Sequence, residues 1–280
     1  MLDCQIDTTS YWDTPLGEFK MWLLGRLEMM RSGGLGGVLF VAAALPAYAE
    51  NDITLSGTAT LLTQYVDRGI TNSAEKPAVQ PEFNLTYKEI IYAGIWASNV
   101  DFGTGTNGQD IASLEIDYYI GITPTVGKWN FDIAAYYIAY PGAFDPGGNF
   151  DYLEFWTGVT RNFFDDKLEV KLYNYWSPNY FGETGNNDVL EFSYSWTFGK
   201  VWHVTPKLAG NLGHQWGTLS QGGYDYTYWS VALAFGFNKN PPLEFEIRYW
   251  DSFDVRGFTC PPSGVDACND LVVGSLKATF

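Results

Sequence analysis

The fold class this sequence predicts is an all-β, antiparallel transmembrane β-barrel of about twelve strands, on three observations. From residue 53 onward, apolar and polar residues alternate at period two through run after run. Mean hydropathy is only -0.12 although 46% of residues are hydrophobic. Alternation hides the greasy face of a barrel strand, whereas a membrane helix needs about 20 consecutive apolar residues. The segments between runs switch regularly between long and short, as extracellular loops and periplasmic turns do. A soluble sandwich has no reason to sort its connections in this way.

Composition agrees. The 11 Trp, 19 Tyr and 19 Phe suit rings placed at two membrane interfaces. A net charge of -16 excludes a nucleic-acid partner, because no basic patch exists to neutralise phosphates. Three cysteines in 280 residues exclude a disulfide scaffold. No cofactor is expected.

The chain opens differently. Arg31 precedes an apolar run over 35–45, followed by Pro46 and the small-residue site Ala47-Tyr48-Ala49. Charge, apolar run and cleavage site in that order read as a secretory signal peptide over 29–49, with the barrel spanning 50–280. Residues 1–28 are acidic and lack the basic character of a signal start, so they read as a non-native or mis-called extension before Met29 or Met30. Cleavage removes Cys4. Cys260 and Cys268 then remain in an oxidising compartment, where a disulfide across one loop is expected.

Twelve runs follow in order: 53–65, 79–87, 91–100, 113–123, 131–140, 152–160, 168–176, 189–198, 207–216, 228–237, 243–250 and 271–280. Most have the length that spans a bilayer when tilted. The even count puts both ends of the barrel chain on one side. In the fourth run Leu114, Ile116, Tyr118, Ile120 and Ile122 face lipid, so Glu115 and Asp117 face the lumen. In the eighth, Leu190, Phe192, Tyr194, Trp196 and Phe198 lie outside and Glu191 inside. The same rule turns Glu82, Asp132, Glu154, Glu169, Lys171, Lys207, Glu244, Glu246, Arg248 and Lys277 inward. The third run is apolar on both faces and does not orient itself.

The last run closes the ring. Val272, Gly274, Leu276, Ala278 and Phe280 share one face, with Ser275, Lys277 and Thr279 on the other. Such a strand needs a partner on each side, and in a bilayer only a closed barrel supplies both. A terminal Phe280 on an alternating strand resembles the assembly signal of bacterial outer-membrane barrels. That likeness implies the outer membrane as location, with its lipid and the barrel-assembly machinery as partners.

Several stretches resemble one family: Tyr65-Val-Asp-Arg-Gly-Ile-Thr71, Tyr92-Ala-Gly-Ile-Trp-Ala-Ser-Asn-Val-Asp-Phe102, Glu115-Ile-Asp117, Tyr140-Pro-Gly142 and Ser177-Pro-Asn-Tyr-Phe-Gly182. The chain is similar to the proteobacterial porin-like proteins called the TorF family. The resemblance covers most of 50–280, is most specific over 92–102, and implies an outer-membrane barrel without naming a cargo.

Individual candidates are weighed against plainer roles. Arg68 can be a constriction charge facing an acidic lumen, or half of a loop-base pair with Asp67 that fixes a turn at Gly69; the solvated pair is the favoured reading. His203 falls in a short turn. His214 has no serine two residues on, and Asn211 points to the opposite face, so no lipid-facing catalytic triad is predicted and the chain is read as a non-enzyme. Asp145-Pro-Gly-Gly-Asn149-Phe-Asp151 lacks the spacing of a calcium loop and reads as a turn. Asp165 and Asp166 read as a solvated pair in a short turn. Nine inward carboxylates against four inward wall cations predict a pore for small polar solutes or ions with a modest preference for cations. The competing expectation is a closed structural or interaction barrel that works through its loops.

Overall fold

The structure, a computed structural model, describes residues 52–105, 108–144, 149–237, 240–256 and 270–280. The extension 1–28, the signal peptide 29–49, the turn at 145–148 and the pair Cys260 and Cys268 lie outside the described residues.

Twelve antiparallel strands form the wall: β1 (Ile53–Leu62), β2 (Ala78–Tyr87), β3 (Ile91–Asn99), β4 (Leu114–Ile122), β5 (Trp129–Ala139), β6 (Tyr152–Phe163), β7 (Leu168–Ser177), β8 (Asn187–Thr197), β9 (Val204–Gly217), β10 (Asp225–Phe237), β11 (Leu243–Arg256) and β12 (Leu271–Thr279). Each pairs with its sequence neighbours, and β1 pairs with β12 from Thr58↔Thr279 to Leu62↔Ser275, closing the ring. The terminal residue extends this seam: Phe280 N–H donates to Gly57 O at 2.9 Å and Gly57 N–H to Phe280 O at 3.2 Å. No edge is left to template aggregation.

Alternation carries the facing. Leu114, Tyr118, Ile120 and Ile122 are exposed on β4, while Glu115, Tyr119 and Gly121 between them are buried. On β3, whose pattern is ambiguous in sequence, Tyr92, Gly94, Trp96 and Ser98 turn inward, placed there by register with β4. The short turns are tight. Lys88 and Glu89 both take positive φ, the mirror-image hairpin turn whose twist matches the strands it joins.

Five strand boundaries shift by three residues or more from the periodicity. β6 runs on to Phe163, β9 begins at Val204, β10 begins at Asp225 and β11 continues to Arg256, because backbone pairing does not require the side-chain alternation and persists where that alternation stops. Arg161 is therefore a strand residue rather than part of a turn, with its guanidinium over the rings of Trp129 (4.5 Å) and Phe163 (4.8 Å). β1 stops early, at Leu62, because the chain there turns off the wall. Val66–Asp67 pairs with Ile70–Thr71 in a hairpin of two rungs that belongs to no wall strand.

The long loops fold over one another. Val100, Ala112, Ile138, Tyr140 and Phe150 form a buried cluster joined by Tyr65, Phe102 and Phe181. Phe181 stacks on Phe150 at 4.5 Å and meets Phe102 edge-on at 5.5 Å. An ion pair of Lys76 with Asp101 ties the first long loop to the second. Burial would raise the Asp101 carboxyl, but hydrogen bonds from Lys76 and from Gly103 N–H hold it below the ordinary carboxylate range.

Candidate functional site

The inward side chains divide by what holds them. Near the short-turn end lie the wall cations, each beside a carboxylate: Lys171 with Glu169 at 3.0 Å, Lys207 with Glu244 at 2.6 Å, and Lys277 with Glu244 at 3.7 Å. Farther in, Arg248 grips Glu246 through Nε (2.7 Å) and Nη2 (3.0 Å), and its Nη1 donates to Ser230.

Among the described residues five inward carboxylates have no cation within ion-pair distance, and tyrosine hydroxyls hold four of these. Tyr119 donates to Glu82 at 2.9 Å; Tyr92 and Tyr173 donate to Asp132 at 2.9 and 3.0 Å. Tyr65 donates to Glu115 at 2.9 Å, and Tyr228 together with Asn211 donates to Glu191, both at 2.8 Å. Asp117 is the fifth, with a buried Oδ1 that has no hydrogen-bond partner among the described residues.

Four of these tyrosines, all but Tyr65, lie along the wall where glycines on adjacent strands make room. Tyr119 stands opposite Gly94, Tyr92 opposite Gly121, Tyr173 opposite Gly158 and Tyr228 opposite Gly213. A Cβ at Gly213 would lie 2.3 Å from the Tyr228 ring, and one at Gly158 would lie 2.4 Å from Tyr173. Gly213→Val is therefore expected to lift the Tyr228 ring off the wall and destabilise the barrel by about 1–3 kcal/mol, the usual cost of overpacking. Urea unfolding in lipid vesicles measures it; an unchanged midpoint would contradict the packing described.

The 66–71 hairpin fills the interior toward the long-loop end. Leaving the β1–β12 seam, it reaches the opposite side of the ring, where Arg68 makes two parallel hydrogen bonds to Glu154 of β6, Nη2 to Oε1 at 2.7 Å and Nη1 to Oε2 at 3.0 Å. The guanidinium also lies over the Tyr175 ring, 4.8 Å from its centre. A Cβ on Gly69 would sit 3.0 Å from Tyr228 Cβ, and Ile70 packs against Val189, Tyr226 and Tyr228. The favoured sequence reading of Arg68, a solvated pair with Asp67, is thereby corrected. Asp67 is 3.9 Å away with its side chain 49% exposed, whereas the side chains of Arg68 and Glu154 are 9% and 2% exposed.

Exposure grades along the axis. Glu169 and Lys171 near the turn end are 40% and 39% exposed, against near-complete burial of the Arg68 and Glu154 pair. The interior is wet below the hairpin and packed around it. Sequence reasoning missed both the hairpin and the tyrosine clasps. Inward glycines alternating with inward tyrosines on facing strands were the available signal for the clasps.

His214 points outward, its Nδ1 2.7 Å from Thr227 Oγ1 and its Nε2 3.6 Å from Asp225. Both neighbours come from β10, which the sequence spacing did not reveal. His214 lies within the ladder, paired with Leu190 of β8 and Thr227 of β10.

The barrel geometry has counterparts. An outer membrane channel from Pseudomonas putida is 11% identical, with 84% of this chain and 96% of that one covered at a TM-score of 0.50. The NanC porin is 9% identical over 81% of this chain and 99% of that one, at a TM-score of 0.46. OpdQ of Pseudomonas aeruginosa is 12% identical over 82% and 67%, at 0.38. At such identities the likeness concerns the fold, a closed antiparallel barrel of the outer-membrane type. No curated protein matches the chain. Residues 46–280 match the family model described as "Bacterial protein of unknown function (Gcw_chp)", and the chain belongs to that family.

Proposed function

We propose that this protein is an outer-membrane channel of a Gram-negative bacterium, delivered by the signal peptide over 29–49, that passes small polar solutes or ions and prefers cations. The observation that carries the reading is the asymmetry of the lumen wall. Arg68, Lys171, Lys207, Arg248 and Lys277 each sit against a carboxylate, while Glu82, Asp132 and Glu191 are held by tyrosine hydroxyls and amide or hydroxyl side chains rather than by a cation. Ionised carboxylates in a narrow, low-dielectric passage concentrate cations and repel anions. The resemblance of 65–71 and 92–102 to TorF proteins supports the outer-membrane barrel and leaves the solute open, as does the fold.

The test is the reversal potential of the purified protein in a planar bilayer between unequal KCl solutions. A cation-selective sign is expected, weakening as salt shortens the screening length. Neutralising Glu82, Asp132 and Glu191 to their amides should move the potential toward zero. An anion-selective sign overturns the preference.

The packed loop end favours a second reading, a closed barrel whose loops carry its function. Absence of current above the lipid baseline, from both the whole protein and a variant lacking the 66–71 hairpin, would select it. An enzyme is disfavoured, because among the described residues the hydrogen-bond and ion-pair partners of His214 are Thr227 and Asp225, with no serine nucleophile.

A further inference from the structure

Arg68 occupies a position built for its head group. Glu154 presents both carboxylate oxygens edge-on to the guanidinium, and the Trp156 Nε1–H holds that carboxylate by a 2.8 Å hydrogen bond to Oε1. Tyr175 supplies the ring face, and the Trp156 ring meets Tyr175 edge-on at 4.8 Å, closing the side of the site. Fork-to-fork pairing and a π face are the two features that distinguish a guanidinium from an ammonium. All three wall residues stand on β6 and β7, and they form this site without help from the hairpin.

The occupant comes from an element that shares no backbone ladder with the wall. The hairpin has two rungs, with its base closed by Asn72 N–H donating to Tyr65 O at 2.7 Å, and Arg68 itself takes φ +48, in the left-handed region where glycine or asparagine is the usual choice. An arginine at that position is disfavoured by the backbone. The contacts of its side chain with Glu154 and Tyr175 compensate, so the head group holds the hairpin in place together with the packing of Ile70 on Val189, Tyr226 and Tyr228. Leaving would strand the Glu154 carboxylate without a countercharge in the packed interior, which prevents the hairpin from moving aside alone.

We propose that the 66–71 hairpin is a displaceable plug, and that a soluble cation bearing a guanidinium opens the channel by replacing Arg68 at Glu154, Trp156 and Tyr175. The exchange breaks one ion pair and forms an equivalent one, so the carboxylate is never left bare. An ammonium of similar size cannot fork onto both oxygens and exchanges poorly. This rests on the channel reading, and it adds a ligand class and a site to it.

Conductance of the full mature protein is measured with millimolar methylguanidinium, and with equal methylammonium as the control. Methylguanidinium should raise the open fraction several-fold and methylammonium should not. Arg68→Gln and a variant with 66–71 shortened to a glycine linker should be open without either. An unresponsive wild type beside a conducting shortened variant overturns the displaceable plug and leaves the channel standing. A second readout does not depend on current. Methylguanidinium should raise the melting temperature of Arg68→Gln in detergent but not that of Arg68→Gln with Glu154→Gln. Equal effects on the two variants, or none on either, overturn the guanidinium site even if no variant conducts.

Discussion

Glu154→Ala should lower the unfolding free energy by about 3–5 kcal/mol, the range found when one partner of a buried ion pair is removed. Arg68 would then keep its charge beside Tyr175 with no carboxylate to receive its two parallel hydrogen bonds. The size of the loss follows from burial rather than from the pair's own strength. With side chains 9% and 2% exposed, neither group can turn to water while the hairpin stays in place. Replacing both residues by apolar groups of similar volume, as in Arg68→Met with Glu154→Leu, should recover most of the loss, because no charge is then stranded. Reversible urea unfolding in lipid vesicles compares the three proteins. A loss under about 1 kcal/mol for Glu154→Ala, the range of a solvated surface pair, would mean that Arg68 reaches water and does not plug the interior.

What sequence made legible, and what it did not, divides at the wall. Strand count, pairing order and the facing of β4 and β8 follow from period two, because a lipid-facing side chain has one permissible chemistry and the pleat forces its neighbours to the other face. On β3 the pattern failed for a physical reason. Its inward Gly94 and Trp96 are apolar because they pack against rings, with Trp96 5.5 Å from Tyr65 in the segment that leaves β1 and Gly94 under Tyr119 of β4. Arg68 was misjudged on similar grounds. Asp-Arg-Gly at the end of a strand carries a turn signal, which is correct as far as it goes, since Gly69 has φ +78. Nothing local says that the turn folds into the lumen. That information lies in Glu154, 86 residues away in the chain, and in the room left at Gly69 by Tyr228 and Ser252.

Leu233→Arg tests the other face of the wall. Leu233 lies within β10, paired with Leu208 of β9 and Ile247 of β11, and its side chain is 53% exposed in a belt with Leu212 and Ile247. In water so broad an apolar belt would be an aggregation surface, whereas in a bilayer it is the solvent-facing surface the protein requires. An arginine there must carry its charge into hydrocarbon or distort the lipid around it, and an expected cost of about 2–4 kcal/mol follows for a site near the midplane. Trp202, in the short turn between β8 and β9 and 92% exposed, is the control. Trp202→Arg should cost no more than about 0–1 kcal/mol, because its head group stays at the interface. Both are measured by urea unfolding in vesicles, where the membrane is present in the folded state. Equal effects at the two positions would mean that the belt around Leu233 does not face lipid, and the facing of β9, β10 and β11 would have to be reversed.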